Sequence, residues 1–176
     1  MVTGFSIRQA APADMAGLAA IYNEVLATST VIFSDKPVTL EDRLAWLESR
    51  RAGGFPVLVA VDGSGAVAGF ASFGDFRAWP GYRYTVEHSI HIRRDCRGHG
   101  IGRALMEPLL AEARRMDKHV MIAGVDASNV AGVAFHERLG FERVGLVREV
   151  GRKFGRWLDL VFLQRFLDPP GAARSA

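Results

Sequence analysis

Cysteine is almost absent from this chain. Cys96 stands alone among 176 residues, so an intramolecular disulfide framework is excluded. A lone thiol beside glycines reads as a small loop residue, since nothing near it in sequence would make it a nucleophile. Long apolar runs are absent too: none approaches the ~18 residues of a membrane span. The first residues, Met-Val-Thr-Gly-Phe-Ser, lack the basic-then-apolar pattern of an export signal. A cytoplasmic protein without membrane contact is the expectation. Charge of one sign is scarce, with 22 Lys and Arg against 19 Asp and Glu giving a formal +3. The basic residues form no long stripe, so nucleic acid is not an expected partner. There is also no internal repeat, low-complexity tract or linker. One domain is expected over residues 1–168, with a disordered tail over 169–176.

What the chain does contain alternates between strand and helix patterns. Phe5, Ile7 and Arg8 predict a short strand, and Pro12 and Asp14 open a helix carrying Met15, Leu18, Ile21, Tyr22 and Val25. Residues 28–36 read as a loop, with Phe33 as a packed aromatic or a pocket wall. Thr39 with Asp42 predicts a capped helix to about Arg51, ended by Gly53 and Gly54. Val57–Val61 and Val67–Phe73 form a hairpin about Asp62-Gly63-Ser64-Gly65. An aromatic and basic loop, residues 74–83, precedes a further strand. Val120–Asp126 is a strand, Asn129 caps a short helix that stops at Gly140, and two final strands flank residues 151–156. Pro108 lies inside the third helix, which predicts a bend or a late helix start.

The organising stretch is Thr85 to Gly102. Val86, Ile90 and Ile92 fall on one face at period two, while Glu87 and His91 take the other. Arg97, Gly98, His99, Gly100, Ile101 and Gly102 follow, and a helical repeat begins directly after them. Glycines there let successive backbone N–H groups at a helix start approach a bulky anion. There is no Gly-Lys-Ser/Thr ending of a nucleoside-triphosphate loop, and the spacing is not G-x-G-x-x-G. What remains is Arg97-x-x-Gly100-x-Gly102. It resembles the acyl-coenzyme A pyrophosphate loop of the GCN5-related N-acetyltransferase superfamily.

A second signature supports that resemblance. Asn129 followed by Phe135-His136-Glu137-Arg138-Leu139-Gly140-Phe141 is similar to the superfamily's asparagine and aromatic-Glu-Lys-Leu-Gly-Phe segment. More narrowly, Thr85-Val86-Glu87-His88-Ser89, the Asp75-Phe76-Arg77 loop and Gly151-x-Lys153-Phe154-Gly155-Arg156-Trp157-x-Asp159 resemble the phosphinothricin and methionine sulfoximine/sulfone acetyltransferases. The resemblance implies an α/β fold with a mixed sheet of about seven strands and about four helices, splayed at the cofactor strands. It implies acetyl-CoA as cosubstrate, no metal, a small amino-acid-like acceptor and a homodimer.

Residue by residue, it implies cofactor contacts from the backbone of Ile90, His91 and Ile92, from Arg97 to Gly102, and from Asn129, which could also simply cap its helix. Glu87 is the implied general base, against the plainer reading of a strand carboxylate paired with Arg77 or Arg83. His136 stands where many relatives have a tyrosine that protonates the leaving thiolate; it is either a proton donor or a hydrogen-bonded helix residue. Arg77, Ala78 and Trp79, with His88, Ser89, Phe33 and Lys153, are the implied acceptor contacts, Arg77 gripping a carboxylate or staying solvated. Two other readings use the same cofactor loop: a protein N-terminus or polyamine as acceptor, and a coenzyme A sensor without turnover. A polyamine site needs carboxylates, and Arg77 to Arg83 offers none.

Overall fold

Val, Ile and Phe at strand spacing and Leu and Met at helical spacing produce one sheet whose central strands are covered on both faces. A computed structural model describes residues 4–167; the tail expected at 169–176 lies outside them. The seven strands are β1 (Ser6–Gln9), β2 (Val57–Val61), β3 (Val67–Asp75), β4 (Thr85–Ile92), β5 (Val120–Asp126), β6 (Glu142–Lys153) and β7 (Arg156–Phe166), in spatial order β1-β2-β3-β4-β5-β7-β6. The helices are α1 (Met15–Thr28), α2 (Leu40–Ala52), α3 (Ile101–Arg115) and α4 (Val130–Arg138). No helix among the described residues is long and apolar enough to cross a membrane.

The two layers follow from alternation along the central strands. Val59 and Phe70 pack with Met15, Leu18 and Leu47 of α1 and α2. Leu58, Phe73, Val86 and Met121 face the other way, onto Leu105, Met106 and Leu109 of α3. Covered on both faces, β2 and most of β3 are buried throughout, which explains their nearly unbroken apolar sequence.

β4 and β5 are parallel, and α3 is the crossover that such a pair requires. They pair only over Thr85–Glu87 with Val120–Ile122 and then part. β3 stays paired to β4 as far as Ile92, and β7 to β5 as far as Asp126. The sheet is therefore splayed at its centre, just beyond Glu87.

The helix starts are built as their sequences dictate. Thr39 Oγ1 accepts from Asp42 N while Asp42 Oδ2 accepts from Thr39 N, a reciprocal cap. Asn129 Oδ1 accepts from Gly132 N at 2.9 Å. α3 runs unbroken through Pro108, neither ending there nor starting after it. Proline denies one bond to Ala104 O, but the buried stripe Leu105, Met106, Leu109, Leu110 and Ala113 holds the helix to the sheet.

Candidate active site

The splay opens a cavity of about 1270 Å³ between β4, β5 and the starts of α3 and α4, walled beyond them by the end of α1 and the loop after it. Strand alternation sends Glu87 to the α1/α2 side and His88 to the α3/α4 side of the sheet, and both line the space.

Glu87 occupies the last paired position before the strands separate. Its carboxylate turns toward Gly124 on β5, where a Cβ would lie 3.0 Å from Oε1. Glycine at 124 is what leaves room for it. Burial pushes the Glu87 pKa up, and the positive charge of Arg77 opposes that shift. Arg77 is therefore near in electrostatic terms, but it is not a salt-bridge partner.

At the opposite end, Gly98 and Gly100 adopt φ of +79° and +81°, backbone that side chains rarely tolerate. They turn the chain into α3, with the loop and the first turn of the helix forming the cavity's end. Arg97 anchors the approach by donating from Nε to Ile92 O at 3.1 Å. Gly102 packs beneath Phe135, whose ring would lie 3.1 Å from an added Cβ. Along the side, Ser89, Ile90, His91 and Ile92 line the stretch of β4 that has no β5 partner. The His91 ring itself packs on Tyr22 and Phe70, and burial with nearby Arg43 pushes its pKa down to about 4. Asn129, as the α4 cap, faces the same space.

His136 is 6% exposed and its Nδ1 lies 2.7 Å from Gly132 O. A carbonyl only accepts, so Nδ1 carries the hydrogen, and the neutral ring presents a lone pair at Nε2. That nitrogen has no partner among the described residues, nor does either nitrogen of His88, whose ring centre lies 5.1 Å away. Burial lowers both pKa values, that of His88 further, with His136 and His91 contributing. No group of three His, Cys, Asp or Glu that would hold a metal occurs among the described residues, so the pair has no third ligand.

Other expected contacts stand elsewhere. Lys153 is 2% exposed and donates to Leu26 O, Ser29 O and Ile32 O at 2.6, 2.9 and 2.8 Å. All three ammonium donors are used bracing the end of α1, and the residue does not line the cavity. Phe33 packs on Gly151, where an added Cβ would overlap its ring, and does not line the cavity. Trp79 is 75% exposed, and Arg77 folds over Phe76, donating to that residue's carbonyl. Together with Ala78 and the exposed His99 side chain, they lie off the cavity wall.

Sequence reasoning also missed contributors. Tyr22, Thr30 and Arg50 all face the cavity. Thr30 donates to Asp126 at the end of β5, tying the α1–α2 loop to the site. Nothing in local sequence distinguishes these side chains from ordinary helix and loop positions.

The model of the acetyltransferase (GNAT) family matches residues 18–141. An L-methionine sulfoximine/L-methionine sulfone acetyltransferase of Pseudomonas paraeruginosa is 48% identical over 168 residues, 96% of this chain and 98% of that protein. Among solved structures, an acetyltransferase of Salmonella typhimurium with its cofactor acetyl-CoA superposes with TM-score 0.92 at 44% identity, covering 99% of this chain and 100% of that one. A phosphinothricin acetyltransferase of Sinorhizobium meliloti in complex with acetyl-CoA gives 0.93 at 33% identity, covering 99% and 94%.

Proposed function

Because this chain belongs to the GNAT family of N-acetyltransferases, we propose that it acetylates the α-amine of a small amino-acid analogue of the methionine sulfone, methionine sulfoximine or phosphinothricin type, with Glu87 as general base. The observation that carries the proposal is the half-buried Glu87 carboxylate at the point where β4 and β5 part, inside the cavity that begins at the glycine loop.

Acetyl-CoA supplies an already activated acetyl thioester. The residues fit it: Gly98 and Gly100 shape a cradle of N–H groups at the start of α3, whose dipole favours the pyrophosphate. The open edge of β4 from His88 to Ile92 offers backbone groups to an extended arm, and Asn129 lies alongside it. The tasks left to the chain are to align the amine and to remove its proton. Glu87 takes one proton from the seated ammonium, directly or through one water. The freed amine forms a C–N bond at the thioester carbonyl, the C–S bond breaks, and the second amine proton passes through solvent to the departing thiolate, releasing free coenzyme A thiol.

Gly100→Val tests the cradle. A β-branched side chain at φ +81° costs about 1–2 kcal/mol of backbone strain. Calorimetry should therefore show acetyl-CoA bound about tenfold more weakly, and unchanged binding would remove the loop from the site.

His136 in its neutral form has no hydrogen at Nε2 to give to a leaving thiolate. The proposal therefore assigns it an accepting, positioning role in place of proton donation. His136→Phe should keep kcat within about tenfold of the parent, whereas a loss beyond ~100-fold would restore the acid role.

A homodimer belongs to the same reading. Its support is β6, an edge strand exposed along nearly its whole length, with Val144, Leu146, Val147 and Val150 open to solvent.

Thiol release from acetyl-CoA tests the activity, with methionine sulfone, methionine sulfoximine, phosphinothricin, ordinary amino acids, a polyamine and a peptide offered in parallel. Saturable turnover confined to the first three is the expected result. Turnover of only the peptide or polyamine would replace the acceptor class, and none at all with acetyl-CoA still bound would indicate a sensor.

A further inference from the structure

On the sheet face that carries Glu87, a guanidinium from neither the glycine loop nor the final hairpin lines the cavity. Arg50, in the last turn of α2, is half-buried and lines the cavity. Its head lies over Gly74, where any Cβ would overlap Nη1. Trp46 and Phe55 flank it, their ring centres 5.7 and 5.9 Å from Cζ. The contacts fix the plane of the guanidinium without neutralising it.

Arg50 donates one long hydrogen bond, from Nη1 to Phe73 O at 3.3 Å. Among the described residues no carboxylate pairs with it, and Asp75 acts on it only through its charge. Burial pushes its pKa down, the mark of a cation short of compensation. Arg51 beside it pairs with Glu48 and donates to Ala10 O. Compensating a helix terminus explains two basic residues there, but not the burial of one of them against a cavity. The free donors of a fixed arginine fork match a carboxylate.

We propose that Arg50 binds the α-carboxylate of the acceptor and so makes the site select amino acids over simple amines. The assignment rests on the acceptor reading given above. Gly74 is the register partner of Glu87, and the Glu87 carboxylate reaches onward to Gly124 on β5. The two heads thus lie about two strand spacings apart, ~10 Å. An α-amino acid spans ~3 Å from nitrogen to carboxylate oxygen, and a hydrogen bond of ~3 Å at each end brings the total to ~9 Å. Amine on Glu87 and carboxylate on Arg50 is a fit of length as well as of charge. Arg77, exposed and folded over Phe76, is left to tune Glu87 from outside the wall.

Steady-state kinetics on the full chain test this with methionine sulfone, its carboxamide and the corresponding amine lacking the carboxylate. Arg50→Gln should raise KM for methionine sulfone about 10- to 100-fold, as expected for lost hydrogen bonds to a charged group, and change the carboxamide less than about threefold. Gly74→Ala should reproduce that pattern, because its methyl group evicts the arginine head without removing the charge. Acetyl-CoA binding within about twofold of the parent in both variants reports that each is folded. Equal losses on acid and carboxamide overturn the assignment, as does undiminished use of methionine sulfone by Arg50→Gln. Failure of the unaltered protein to use any amino acid, while it acetylates another amine, defeats the acceptor reading and takes this assignment with it; that result is visible before any variant is compared.

Discussion

Glu87→Gln should lose acetyl transfer by roughly 100- to 10,000-fold, the range for a positioned general base, while binding acetyl-CoA within about twofold. Glutamine keeps the shape that Gly124 accommodates and removes only the ability to take a proton. The pH profile sharpens the test. Burial raises the Glu87 pKa, and a base works only when deprotonated, so kcat/KM should fall as pH drops through that raised value. The acidic limb should vanish in Glu87→Gln, leaving a low rate that is flat there. Stopped assays from pH 4 to 8 read both features. A variant retaining more than a tenth of the rate with the same acidic limb would move the base elsewhere.

The second large effect is on stability. Lys153→Met should lower stability by about 3–5 kcal/mol, because three carbonyls lose a buried charged donor at once. For a chain of this size that corresponds to a melting temperature ~10 °C lower. Leu26 O is one of the unpaired carbonyls at the end of α1, where a cation also complements the helix dipole. Thermal melts followed by circular dichroism give the shift. At a temperature where the variant remains folded, KM for the acceptor should stay within about threefold. A melting point within ~2 °C of the parent, or a KM raised tenfold or more, would return Lys153 to the acceptor pocket.

Lys153 also marks where sequence reading reaches its limit. Its carbonyl partners lie more than 120 residues away along the chain, so no local pattern announces them. Arg50 is hidden differently: in sequence it is one of two basic residues at a helix end, and only the fold lays it over Gly74. Features set by short-range geometry were legible. Thr39 with Asp42, Asn129 at the start of α4, and the period-two placement of Glu87 each follow from neighbours within a few positions. Pro108 shows the opposite balance: the late helix start that proline predicts does not occur, because the buried stripe of α3 carries the helix past it. Arg77 and Trp79 show how a motif can mark the right neighbourhood while the side chains that form the wall come from other elements.

With three rungs joining β4 to β5, the sheet is mechanically two leaves on a short spine. One leaf holds β1 to β4 and the other β5 to β7. A ligand pinned to the glycine loop and the β4 edge on one side and to Asn129, just past β5, on the other acts as a rivet between the leaves. Whatever it contributes to affinity it contributes also to stiffness, by mass action on the folded state. The supply of cosubstrate then bears on how tightly the architecture is held as well as on how fast it turns over.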